Sequence, residues 1–328
     1  MIFFSNMHHY LLPAWLGIGS MILIWPALKN RNCEQATCSA AGLILTACAY
    51  VTLLNDDFSL LAHCVGIFTL IGWIVMRKFG TFDSGFAAKK FLTYHLAGIL
   101  LFFLAKPQSH PSVALFLIAL CFFSGSQPFH GWIEHFFSHA PSGLVLTFLL
   151  FFRPIVWFFT LQFICAVISI ENYEIFRKFC LIFGLWGSLF VPVLFFSKRE
   201  NRKFLGYMVC WQNGILWLIL SRCKVYDYVF LFEFSIMQGI LLALLFLSFI
   251  ATQRQLHGED VIGLRPSHLL KKSRACFIFM LLIPFGIWPL LVSRALGLSC
   301  LYLTYSAISC SIYFSFLYRT FLKNRIGI

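Results

Sequence analysis

Apolar runs long enough to cross a bilayer recur along almost the whole 328-residue chain. A membrane helix needs about 20 apolar residues to cross ~30 Å of hydrocarbon. The runs fall at roughly 10–28, 36–54, 60–76, 87–105, 112–127, 143–169, 176–196, 204–221, 228–251, 275–293 and 296–318. They predict an all-α fold, a polytopic transmembrane helix bundle of about eleven spans. Hydrophobic residues make up 60% of the chain, charged residues 11%, and mean hydropathy is +0.84. A soluble domain of this size has too little interior for that much apolar surface, whereas in a bilayer lipid replaces water around the side chains. The loops are short, the longest being the polar segment Thr252–Arg274. The first run follows Met1–His9 without a basic lead, the pattern of a span and not of a cleavable signal peptide.

The net charge is +13. No basic stripe interleaved with aromatics accompanies it, so nucleic acid is not an expected partner. The basic residues sit between spans. One side of the expected topology holds Lys29, Arg31, Arg77, Lys78, Lys89, Lys90, Lys198, Arg199, Arg202, Lys203, Arg254, Arg265, Lys271, Lys272, Arg274, Arg319, Lys323 and Arg325. The other holds Lys106, Arg177, Lys178, Arg222, Lys224 and Arg294, a bias of 18 against 6. Basic residues stay on the cytoplasmic side. The expected orientation is therefore N-terminus outside and C-terminus in the cytoplasm, in a bacterial cytoplasmic (inner) membrane.

Most of the 12 cysteines, Cys64, Cys121, Cys180 and Cys210 among them, fall inside apolar runs, where a thiol packs as a small hydrophobe. No Cys-x-x-Cys pair is present, which removes the zinc-ribbon and thioredoxin patterns. Cys33 and Cys38 flank a short loop and give weak ground for a disulfide.

Two runs are interrupted. One leads into Ser124-Gly-Ser-Gln-Pro128, the other contains Pro284-Phe-Gly-Ile-Trp-Pro289. Gly and Pro free backbone groups that lipid has no means to satisfy, so a true break faces protein or a wet cavity. Two breaks in related halves mark the ion path of many transporters. Ordinary proline kinks are the alternative.

Ionisable groups inside the apolar phase cost several kcal/mol and usually face a bundle interior or water. The densest polar cluster is His130-Gly-Trp-Ile-Glu134-His135-Phe-Phe-Ser-His139. It reads as a proton relay, because His titrates near neutral pH, or as an interfacial turn with solvated histidines. His135 and His139 are one helical turn apart, yet no Cys or Asp nearby completes a metal shell, so no metal is expected. Arg153, followed by Pro154, lies about ten residues into its run, and its charge is permanent. It is either functional or half of an ion pair with Glu233 or Glu134. Glu233, near the start of its run, has snorkelling as its plain reading. Lys90, His95 and Arg294 complete the candidates.

Pro128-Phe-His-Gly-Trp132, continuing to Ala140-Pro141, resembles the Pro-Phe-His-x-Trp-Leu-x-Asp and following Ala-Pro of the proton-conducting antiporter-like membrane subunits. These are the large hydrophobic subunits of respiratory complex I and their relatives in multi-subunit sodium/proton antiporters, membrane hydrogenases and inorganic-carbon uptake systems. Arg153, thirteen residues beyond Ala140, resembles a lysine of that family. The segment Glu200–Gly214 is similar, without a gap, to the family's Asp-x-Lys-Arg-x-Leu-Ala-Tyr-Ser-Thr-x-x-Gln-Met-Gly. Ala88-Lys89-Lys90-Phe91 resembles an Ala-x-Lys-Tyr-Phe helix start, and Gly263-Leu264 with Gly286-Ile287-Trp288-Pro289 resembles the second broken helix. Arg294 stands eight residues after that Gly, where the family has a lysine about ten after it. Phe123, Ile74, Gln238 and Leu242 depart from the pattern. They replace a lysine, its partner glutamate, a histidine and a second lysine. The resemblance spans roughly residues 86–296. It implies N-terminal helices over 1–85, a first antiporter-like half over 86–169 and a second over 170–328.

The resemblance further implies a midplane path of Lys, His, Glu and water. Its candidates here are Lys90, His95, His130, Glu134, His135, His139, Arg153, Glu233 and Arg294. The expected function is a membrane subunit of a proton- or cation-translocating complex resembling NADH:quinone oxidoreductase. The alternatives are a non-conducting scaffold subunit and the membrane half of a carbon dioxide or bicarbonate uptake system. No Gly-rich nucleotide loop, haem or flavin motif or nucleophile constellation is present, so no catalytic site and no cofactor are expected. The expected partners are other membrane subunits, the lipid bilayer and a cytoplasmic protein docking on the basic loops.

Overall fold

The computed structural model describes residues 59–81, 83–105, 112–167, 170–197 and 201–221, with single positions between 40 and 47 and between 235 and 250. The expected first and last two spans, the second interrupted run, Glu233 and Arg294 lie outside these residues. The chain divides into two compact units, Met1–Gly239 and Ile240–Ile328, and the account below concerns the first.

The described residues are helical throughout, with no strand among them. Helix α1 runs Ser59–Phe79 and α2 runs Ser84–Leu104. Gly80 and Thr81 turn the chain between them, with the Gly80 N–H donating to the Met76 carbonyl at 3.0 Å. Helix α3, Val113–Ser124, stops where Gly125 adopts a left-handed conformation at φ 65°. A Cβ at Gly125 would come within 2.0 Å of the Ile133 side chain, so glycine fits that turn on two counts. The Gln127–Pro128 peptide is cis. The chain then re-forms a helix, α4, over Gly131–His139. The sequence reading left 128–142 between spans, and the helix there is a finding of the structure. Trp132, Ile133, Phe136 and Phe137 give it an apolar face at helical spacing, and all four are buried.

After Ala140-Pro141, α5 (Ser142–Thr147) passes through a π-helical turn, Phe148–Phe152, into α6, Arg153–Val167. The Arg153 N–H bonds the Phe148 carbonyl, five residues back. Pro154 has no N–H to give one turn back, and a widened turn is a usual response. Helix α7, Ile170–Ser197, and α8, Asn201–Leu220, form a long hairpin. They touch backbone to backbone, since a Cβ on Gly214 would lie 2.6 Å from the Gly187 carbonyl carbon. Small residues are the usual way for membrane helices to approach this closely.

Three stretches among the described residues are long and apolar enough to cross a membrane: Leu61–Phe79, Ser84–Leu104 and Ser142–Thr160. The last is buried along its whole length, whereas α2 exposes Leu96, Leu100, Phe103 and Leu104, and α7 exposes Ile182, Leu185, Leu189 and Phe190. Apolar side chains on an outer face are what a lipid solvent permits. Cys64, Cys121, Cys180 and Cys210 are buried thiols outside any disulfide, acting as small hydrophobes.

Candidate functional site

The break between α3 and α4 places two polar groupings around one bundle. The first lies where α4 packs between the starts of α2 and α8. Lys90 donates from Nζ to His135 Nε2 at 3.0 Å. An ammonium is only a donor, so this neutral imidazole carries its proton on Nδ1. Burial, and after it the Lys90 charge, holds His135 below the ordinary histidine value. His139 Nδ1 shares a 2.8 Å hydrogen bond with Thr81 Oγ1 in the α1–α2 turn. The two histidine rings stack at 6.4 Å but turn to different partners. Glu134 accepts a 2.5 Å bond from the Tyr207 hydroxyl, and the His130 ring lies 5.9 Å from that of Tyr207. Arg202 donates to the Ser138 and Ala140 carbonyls at 3.2 and 2.9 Å, closing the C-terminal end of α4.

The second grouping is deeper. Arg153 is fully buried. Its Nε donates to Asn213 Oδ1 and its Nη2 to Gln238 Oε1, both at 3.0 Å. Trp157 Nε1 donates to the same Asn213 oxygen at 3.3 Å. Asn213 Nδ2 donates at 2.6 Å to the carbonyl of Ser124, the last residue of α3. Ser124 and Ser126 hydroxyls meet at 2.7 Å, and Trp217 Nε1 donates to Ser126 Oγ at 2.9 Å. At the break Asn213 of α8 thus takes the Ser124 carbonyl and Trp132 of α4 the Phe122 carbonyl, and the interruption is a true break, not a kink. Among the described residues no carboxylate reaches Arg153. The pairing with Glu134 weighed above is not formed, because Glu134 turns to Tyr207.

His95 lies in an aromatic layer. Its ring packs against Phe68, Phe91, Phe123, Trp132 and Phe152 at centroid distances of 4.2 to 6.4 Å. Nδ1 donates to the Phe91 carbonyl at 2.8 Å, leaving buried Nε2 without a hydrogen-bond partner. Phe123 and Phe152 adjoin Ser124 and Arg153 in the chain, so one layer of rings links this histidine to the deeper cage. Gln127 Nε2, Gln212 Oε1 and Arg153 Nη1 are also buried without partners. Such atoms favour ordered water.

Asn213, Ser124, Ser126, Trp157 and Trp217 were not among the sequence candidates, and Gln238 entered only as a departure from the family pattern. All six are neutral and scattered over more than a hundred residues. Their signal was the burial of Arg153 itself, which demands acceptors from somewhere. His63, a polar residue within its span, is exposed on α1.

Fold and site define an all-helical integral membrane protein with a buried, amide-held arginine beside a broken helix. No family model matches the chain. Over 190 residues it is 24% identical to NADH-ubiquinone oxidoreductase chain 2 of Crocidura hildegardeae, a match covering 53% of this chain and 52% of that protein. The chain thus spans about half the length of the curated relative it matches.

Proposed function

We propose that the chain is a membrane subunit of a proton-translocating complex of the NADH:quinone oxidoreductase kind. The observation that carries this is Arg153, buried in a span and tied through Asn213 to the broken end of α3. The similarity to a subunit of NADH-ubiquinone oxidoreductase supports it. The proposed polar axis takes Lys90, His130, Glu134, His135 and His139 at one end, then His95, then Arg153. Glu233 and Arg294, the remaining sequence candidates, lie outside the described residues. The complex supplies the redox chemistry, and this chain supplies buried charge and hydrogen bonding within the bilayer. The C-terminus is cytoplasmic in this reading, as the basic bias expects, and the membrane is a bacterial inner membrane.

A scaffold role within the same complex has its own support. Phe123 is fully buried at the place of a family lysine, and Ile74, at the place of its partner glutamate, is an exposed apolar residue on α1. Depleting the chain from its native membranes tests the shared claim. Quinone-dependent NADH oxidation and the acidification it drives should fall together and return on re-expression. If both persist at full rate without the chain, the reading is wrong.

A further inference from the structure

Arg153 is fully buried, and among the described residues every acceptor that it reaches is neutral. Asn213 and Gln238 offer carbonyl oxygens at 3.0 Å. The Asn213 amide has one usable orientation, because its Nδ2 is committed to the Ser124 carbonyl and its Oδ1 also takes the Trp157 N–H. Neutral acceptors orient a guanidinium without cancelling its charge. Arginine does not release its proton as a buried lysine can.

We propose that Arg153, clamped between Asn213 and Gln238, is a fixed positive barrier that closes this subunit to protons and other cations. An excess proton brought within ~4 Å of a permanent charge is disfavoured roughly a thousandfold at an effective dielectric of about 20. Pores exclude protons and cations by the same device, an arginine at the constriction. The surroundings fit. The ring layer around His95 adjoins the cage, and Phe123 there has no titratable group. The barrier rests on the membrane-subunit reading. That reading is tested separately by the depletion above.

The test uses the purified full chain in phosphatidylcholine–phosphatidylglycerol vesicles loaded with a pH-sensitive dye. A potassium diffusion potential drives proton entry. Two variants accompany the wild type: Arg153→Lys keeps a cation that can titrate, and Asn213→Asp places a carboxylate against the guanidinium. Size-exclusion chromatography shows which variants are folded. The expected result is wild-type entry no faster than in protein-free vesicles and at least a tenfold rise in every folded variant. Wild-type conduction above the protein-free rate overturns the barrier. So does a silent wild type with a folded variant that is equally silent, since closure would then lie elsewhere. Should neither variant fold, the wild-type rate alone decides.

Discussion

Asn213 makes three hydrogen bonds at once, accepting from Arg153 and Trp157 and donating to the Ser124 carbonyl. Replacing it with leucine would strand a charged donor, an indole N–H and a helix-end carbonyl in a dry interior. A single lost bond to a charged group costs about 1.5–3 kcal/mol, and stranding its partner adds to that. Asn213→Leu is therefore expected to destabilise the folded chain by on the order of 3 kcal/mol. The check is a clearly lower thermal unfolding midpoint in detergent, and an unchanged midpoint would remove Asn213 from the centre of the site. This residue also shows where sequence reading stops. Arg153 was legible because a permanent charge in an apolar run stands out. Its acceptors lie 60 and 85 residues away and are neutral amides. Both lie in apolar runs, but a neutral amide there does not announce which buried group it serves.

At the scale of the element, helix positions were largely readable from apolar runs, and their ends were read less well. The expected span 60–76 is the helix Ser59–Phe79, and 204–221 is Asn201–Leu220. Helix α7 begins at Ile170, ahead of the expected 176, and carries the pair of Glu174 and Arg177, 3.1 Å apart, within it. Hydropathy ends a span at its first charges, but a helix continues through them when they bond one turn apart. The break at Gly125 was legible from Gly and Pro. Helix α4 was not, since its histidines and glutamate mask an apolar face only nine residues long. The α7–α8 hairpin depends on close backbone approach at Gly187 and Gly214. Gly214 directly follows Asn213, so prying the hairpin apart there would also displace the cage. Gly214→Leu is expected to cost several kcal/mol by overpacking a backbone contact. In a cysteine-depleted background, a pair of introduced cysteines flanking this contact should cross-link in the parent and fail to do so in the variant. Equal cross-linking would show that the hairpin tolerates the side chain and that the close approach carries no weight.

Across the whole molecule, composition alone indicated a membrane protein, and the described helices agree. Among the described residues, the polar groups divide into a set at the ends of α2, α4 and α8 and a fully buried set around Arg153, with the His95 ring layer between. This arrangement suits a subunit that senses or shapes proton movement within a larger assembly. The proposed function rests mainly on the motifs running from Pro128 to Trp132 and from Glu200 to Gly214. The second motif supplies Arg202, Tyr207 and Asn213, which bond the α4 end and the cage. Assembly into a complex is the central claim, and affinity purification tests it most directly. The tagged full chain would be extracted from its native membrane in mild detergent, and the proteins eluting with it quantified by mass spectrometry. The expected result is near-stoichiometric recovery of NADH:quinone oxidoreductase subunits that carry NADH oxidation activity into the eluate. Recovery of the chain by itself, or with a carbonic-anhydrase-like partner and no such subunits, would contradict it.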